Sequence, residues 1–149
     1  MKLKEIWDLK YFKYRTAVTV GPNETIAAAI EKLVEHDRGS LPVCSNNGEL
    51  LGVITERDIV RKLFARKDAS TQETEIKEIM STPVIIGSPD DDANYALSVM
   101  KEKRIRHLPI VDNRNLIGMI SMRDLLGVQL EECRTEVRFY SDYISGDYR

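Results

Sequence analysis

The sequence predicts an α+β fold. Two copies of one β-α-β-β-α unit pack with pseudo-twofold symmetry, joined by a short N-terminal helix and a C-terminal tail. Three observations predict it. Gly52-Val53-Ile54-Thr55-Glu56-Arg57-Asp58 recurs as Gly118-Met119-Ile120-Ser121-Met122-Arg123-Asp124, at an offset of 66 (118 − 52, and again 124 − 58). Leu41-Pro42-Val43 recurs as Leu108-Pro109-Ile110, at an offset of 67 (109 − 42). Val18-Thr19-Val20-Gly21-Pro22 is echoed by Val84-Ile85-Ile86-Gly87-Ser88-Pro89, each a β-branched run stopped by Gly and Pro. The step from 67 to 66 places one extra residue in the first inter-strand loop. That loop reads Ser45-Asn46-Asn47-Gly48-Glu49 against Asp112-Asn113-Arg114-Asn115. Both are turn chemistry, because Asn, Asp and Gly tolerate positive φ.

The elements follow in order. Residues 1–16 form an N-terminal segment with a weak amphipathic helix over 3–10, around Ile6, Trp7 and Leu9. Repeat 1 spans 17–66 and opens with a strand near 17–20. Ile26, Ala29, Ile30 and Leu33 then recur at helical spacing, and Gly39 ends that helix. Strands near 41–45 and 50–54 flank the Asn-Asn-Gly turn. A helix over 56–65 is expected to bury Ile59, Val60, Leu63 and Phe64. Residues 67–75 are polar, without apolar period, and read as a linker. Repeat 2 spans 76–132: a helical turn near 76–80, a strand at 84–86, and a helix at 92–103 carrying Ala93, Ala96, Leu97 and Met100. Strands near 108–111 and 116–120 and a helix near 122–132 complete it. The tail, 133–149, holds Phe139, Tyr140, Tyr143, Ile144 and Tyr148 among charges, as a short helix docking on the body or on a second subunit.

At 149 residues, 42% hydrophobic and 31% charged, the composition is that of a globular protein. A net charge of −2 leaves no basic footprint for nucleic acid. The apolar runs are too short to span a bilayer, and Met1-Lys2-Leu3-Lys4-Glu5 shows no signal-peptide core. Two cysteines, Cys44 and Cys133, make no disulfide framework, so a reduced, cytoplasmic setting is expected. A single unit of this length buries only about 60% of its unfolded surface and is marginal alone. Pairing of the two copies is therefore expected, with a cleft at the junction, and a homodimer follows from the same reasoning.

The repeat order, the Leu-Pro-Val/Ile strand and the Gly-apolar-apolar-Thr/Ser-x-Arg-Asp junction resemble the CBS (cystathionine β-synthase) domain, here in tandem as a Bateman module. Glu78-Ile79-Met80-Ser81-Thr82-Pro83-Val84-Ile85 is similar to the segment that introduces a second such repeat, and Arg104-Ile105-Arg106-His107-Leu108-Pro109 is likewise family-like. Tyr143-Ile144-Ser145-Gly146 is similar to the ending of small stand-alone bacterial CBS-pair proteins. The resemblance implies a regulatory, energy-sensing module that binds AMP, ADP, ATP, NAD or S-adenosylmethionine between the repeats and modulates an unknown effector protein in trans. It implies no catalytic residue, no catalytic cofactor and no metal. It implies ribose ligands at Asp58 and Asp124, and phosphate ligands at Thr55 and Ser121, helped by Arg57, Arg123, Arg106 and His107. The base would lie against Leu41, Pro42, Val53, Ile54, Leu108, Pro109, Met119 and Ile120, through apolar walls or backbone.

Physical chemistry supports such an assignment and also offers plainer ones. A carboxylate near a helix start accepts both ribose hydroxyls, and the free N–H groups of the same helix favour phosphate. Yet Thr55-x-x-Asp58 and Ser121-x-x-Asp124 are also capping boxes, with Asp in place of the commoner Glu. The two clefts cannot be equivalent in charge, since repeat 1 carries Gly39-Ser40 where repeat 2 carries Arg106-His107. The competing functional reading is a structural dimerisation or interaction module with vestigial pockets. An enzyme is disfavoured, because two histidines far apart in sequence and no nucleophile-base set leave little acid–base machinery.

Overall fold

The computed structural model describes residues 1–8, 17–66 and 70–145. Leu9 of the expected first helix, Lys67 and Asp68 of the expected linker, and Gly146 and Tyr148 of the tail lie outside the described residues. Helix α1 spans Leu3–Trp7. Repeat 1 supplies α2 (Ile26–Glu35), the hairpin β1 (Ser40–Cys44) and β2 (Leu50–Thr55), and α3 (Glu56–Ala65). A 3-10 turn, Ile76–Glu78, opens repeat 2. Then come α4 (Ala93–Lys103), β3 (His107–Asp112), β4 (Asn115–Ser121) and α5 (Met122–Ser145).

The hairpins obey one design. Each is antiparallel, with Ser40 opposite Thr55 and His107 opposite Ser121. Each carries a bulge at the same place, between Val43 and Cys44 and between Ile110 and Val111. Gly48 turns the first loop at φ 82°, a value open to glycine at little cost. The strands expected near 17–20 and 84–86 are reduced to single parallel bridges, Val20 to Val43 and Gly87 to Ile110. Proline explains this. The carbonyls of Pro42 and Pro109 accept from Val20 N–H and Gly87 N–H at 3.1 and 2.8 Å. The same two residues have no N–H to return, so the ladder cannot propagate.

Each repeat has its own core, and each core is completed by the segment that precedes the other repeat. Leu3 and Ile6, with Trp7 against them, join Ala96, Met100, Leu108, Ile110, Ile120 and Leu125 of repeat 2. Ile76, with Ile79 and Met80 against it, joins Ile26, Leu33, Leu41, Val43, Ile54 and Ile59 of repeat 1. The backbone repeats the exchange bond for bond. Leu3 N–H donates to Asp91 O and Lys4 N–H to Pro89 O, both at 2.9 Å; Ile76 N–H donates to Glu24 O at 2.8 Å and Lys77 N–H to Pro22 O at 3.0 Å. The hairpin tips also meet, with Leu116 N–H donating to Gly48 O at 3.1 Å. Neither repeat closes without the other.

Two expectations need correction. In α3, Ile59 is buried and Leu63 packs against the core, but Val60 is 65% and Phe64 82% exposed. A helix this short seats one narrow stripe, and residues about 100° further round face out. The second concerns the tail. The last helix does not end near 132, because α5 runs unbroken for 24 residues from Met122 to Ser145. Residues 131–144 are all exposed, so its second half does not dock on the body.

Candidate functional site

Two cavities lie between the repeats, each built from the strand-to-helix junction of one repeat and the loop before the central hairpin of the other. The larger, about 390 Å³, is lined by Thr55, Glu56 and Arg57 of the first junction, by Val53, and by Ser81, Val84 and Ile85. Arg104, Arg106, His107 and Pro109 close it from the second repeat. The smaller, about 140 Å³, is lined by Ser121 and Asp124 of the second junction, by Pro42 and Met119, and by Val18, Asp37 and Arg38. Trp7 forms part of its wall. Gly39 and His107 border both cavities.

The junction geometry follows from local chemistry. Thr55 ends β2 in extended conformation (φ −118°, ψ 161°) and caps α3. Its Oγ1 accepts from Asp58 N–H at 3.1 Å, while Asp58 Oδ2 accepts from Thr55 N–H at 2.9 Å. Ser121 and Asp124 repeat the exchange, each bond 3.0 Å. The capping reading of both motifs is thus what the structure displays. It leaves the second carboxylate oxygen of each Asp outside the cap.

The two carboxylates are not placed alike. Asp124 lines its cavity. Asp58 sits one step behind the wall, where Ser81 Oγ donates to it at 3.4 Å and Ser81 itself faces the cavity. Ser81 reaches this position by pairing with Val53, through bonds of 2.9 and 3.3 Å. Arg106 and His107 are brought together with Thr55 and Arg57, on the larger cavity. Arg123 lines neither cavity; it faces a groove along α5 with Glu131 and Glu132.

Of the apolar residues expected against the base, Leu41, Ile54, Leu108 and Ile120 have their side chains buried in the two cores, which leaves them only the backbone route. Side chains alternate along a strand, so their neighbours Pro42, Val53, Pro109 and Met119 take the cavity side. Sequence reasoning omitted Trp7, Val18, Asp37 and Arg38 from the smaller cavity, and Ser81, Ile85 and Arg104 from the larger. One signal was available in the sequence: Asp37 and Arg104 stand 67 apart (104 − 37), the offset of the hairpins they precede, and in the structure both adopt left-handed backbone (φ 50° and 55°).

The charges sort unevenly. Three arginines and a histidine meet one glutamate around the larger cavity. Asp37 and Asp124 outnumber Arg38 around the smaller, where His107 also lies. Among the described residues, no cluster of three or more His, Cys, Asp or Glu is arranged to hold a metal ion. No helix among them is long and apolar enough to cross a membrane.

A duplicated hairpin-and-helix unit with mirrored junction pockets defines a paired-repeat protein. The CBS domain family model matches residues 13–65 and 76–131, and the chain belongs to that family. A protein of Methanopyrus kandleri is 40% identical over 116 residues, which are 77% of this chain and 59% of that one. The CBS domain-containing protein YhcV of Bacillus subtilis is 37% identical over 72% of this chain and 74% of its own. The chain thus spans less than two thirds of the first relative's length. Among solved structures, a CBS-domain containing protein of Agrobacterium tumefaciens superposes with a TM-score of 0.76 at 29% identity, covering 87% of this chain and 99% of that one. The CBS domain pair of protein MJ0100, in complex with 5′-methylthioadenosine and S-adenosyl-L-methionine, gives 0.74 at 26%, over 89% and 98%. A CBS domain protein of Pyrobaculum aerophilum complexed with AMP gives 0.71 at 25%, over 83% and 89%.

Proposed function

We propose that the chain is a regulatory sensor of adenosine-containing ligands, which it binds between its repeats, and that it performs no catalysis. The observation that carries this is the 390 Å³ cavity where Arg57, Arg104, Arg106 and His107 converge on the capped start of α3. Small-molecule sites run from about 300 to 1,000 Å³, mostly apolar with a few convergent polar groups. The larger cavity falls within that range and the smaller one below it. Free N–H groups at a helix start, beside arginines, suit a phosphate; Val53, Val84 and Ile85 suit a flat base. Two neighbouring structures hold adenosyl compounds, which supports the same ligand class.

In this reading AMP, ADP, ATP or NAD takes the larger cavity, with phosphates toward Thr55, Arg57 and Arg106. Asp58 grips the ribose once Ser81 Oγ gives way. The smaller cavity, with Asp124 on its wall and fewer cations, differs in occupancy or takes a ligand of lower negative charge. Ligand shifts the relative orientation of the repeats, or of two subunits in a homodimer, only by binding one arrangement more tightly. A partner protein then reads the change in trans.

Thermal unfolding with AMP, ADP, ATP, NAD and S-adenosylmethionine tests this. A ligand present at about 100 times its Kd should stabilise by about 2.7 kcal/mol. Arg106→Ala should remove the response to the phosphorylated compounds first. If none of the five stabilises the protein, the pockets are vestigial and the module is structural.

A further inference from the structure

A seam of apolar side chains runs down α5. Leu126, Leu130, Cys133, Val137, Tyr140 and Ile144 succeed one another at steps of 4, 3, 4, 3 and 4. The alternation of 4 and 3 is that of a heptad repeat, with Leu130, Val137 and Ile144 seven apart and Leu126, Cys133 and Tyr140 seven apart. All six are exposed. From Glu131 to Ile144, a stretch of 14 residues (144 − 131 + 1), every residue is exposed. Isolated helices of up to about 12–15 residues are marginal in water, so this half of α5 needs a partner to hold it.

The seam itself indicates which partner. Heptad position a holds Leu130, Val137 and Ile144, two of the three β-branched, and position d holds Leu126, Cys133 and Tyr140; β-branched residues at a suit a two-stranded pairing, and the flanking charges select the parallel one. In that register Gln129 flanks the partner's Arg134 and Glu136 flanks the partner's Ser141, so no like charges meet. An antiparallel pairing centred on the seam would set Glu136 against the partner's Glu136 and Arg134 against the partner's Arg134. A membrane surface fits poorly. Between 131 and 145, Arg134 and Arg138 stand against Glu131, Glu132, Glu136 and Asp142, a net −2 (2 − 4). Interfacial helices are basic on their polar face.

We infer that the second half of α5 pairs, parallel and in register, with the same segment of a second copy of this chain. This supplies a surface for the homodimer proposed above and rests on that dimer, not on the ligand. Register brings Cys133 against the partner's Cys133 across the seam.

Sedimentation equilibrium of the full chain, with oxidation by copper-phenanthroline, tests the pairing. Wild type should weigh twice 17.1 kDa and cross-link, and Cys133→Ser should abolish the cross-link. Val137→Asp with Ile144→Asp should give a monomer that still unfolds cooperatively, while Val137→Leu with Ile144→Leu should stay dimeric. A dimer that survives the two aspartates overturns this interface and leaves the dimer standing. A monomeric wild type overturns both. A wild-type dimer without the Cys133 cross-link overturns the parallel register.

Discussion

His107 closes over Gly39: its Cε1 lies 3.7 Å from the point where a Cβ on Gly39 would stand. The pair forms the partition between the two cavities. An ordinary van der Waals distance leaves room for a methyl group, so Gly39→Ala should change stability by less than about 0.5 kcal/mol. Gly39→Glu is different, because it puts a carboxylate on a wall shared with Arg57 and Arg106. It should weaken a phosphorylated ligand by tenfold or more while leaving the unfolding midpoint nearly unchanged. Calorimetric titration checks it, and equal affinity for Gly39→Glu and wild type would remove the larger cavity as the phosphate site.

Gly118 and Gly52 are equivalent positions with different lids. The Trp7 ring lies directly on Gly118, and a Cβ there would fall inside it. At Gly52 the lid is Met80, whose Sδ would stand 2.6 Å from an added Cβ. An indole cannot bend away, whereas a thioether chain can rotate. Gly118→Ala should therefore cost more than Gly52→Ala, in the upper part of the about 1–3 kcal/mol typical of overpacking. Trp7 is the one tryptophan, so its emission should shift to the red as α1 lifts. An unshifted emission in Gly118→Ala would show that α1 is held by other contacts.

That contrast also shows what local pattern could and could not reveal. The duplicated junction, the Leu-Pro strand and the helical spacing of Ile26, Ala29 and Leu33 are written within a few residues, and the elements form where they predict. The match of Leu3-Lys4-Glu5-Ile6-Trp7 to Ile76-Lys77-Glu78-Ile79-Met80 went unread. Its offset is 73 (76 − 3), not 66, because seven extra residues (73 − 66) precede the first strand of copy one. The exchange of these segments between cores is a tertiary fact. So is the choice of strand face. Leu41 and Pro42 are both apolar, as are Val53 and Ile54, and only the packed core decides which of each pair faces the cavity.

Capping and ligand binding at the junctions can be separated by substitution. Thr55→Ala and Ser121→Ala each remove an acceptor for a helix-start N–H and should cost about 1 kcal/mol of stability. The two sites share no partner, so the double variant should cost about the sum. Asp58→Ala with Asp124→Ala should in addition abolish nucleoside binding, if both carboxylates hold ribose. Denaturant unfolding reads the first effect and titration with adenosine and AMP the second. Nucleoside affinity untouched in the Asp58→Ala, Asp124→Ala variant would leave these residues as helix caps alone.

The docking of α1 should depend on pH in a direction that follows from its ion pairs. Lys4 Nζ donates to Asp90 Oδ1 at 2.7 Å, and that hydrogen bond is the main reason the Lys4 pKa is raised and the Asp90 pKa lowered. Asp92 is lowered chiefly by accepting the Asn94 N–H at the start of α4. A lowered carboxylate contributes its full stabilisation above its unfolded value of 3.8 and loses it as pH falls through the folded value. A raised lysine contributes fully below 10.5 and loses its share as pH rises through the folded value. All three groups lie at the surface, so salt should weaken the effect. Trp7 emission should therefore stay level across neutral pH and shift only below about pH 4 or beyond about pH 10.5. Asp90→Asn should remove the alkaline limb and part of the acid limb together, because the two share one bond. If α1 lifts between pH 5 and 7, groups other than these three govern its attachment.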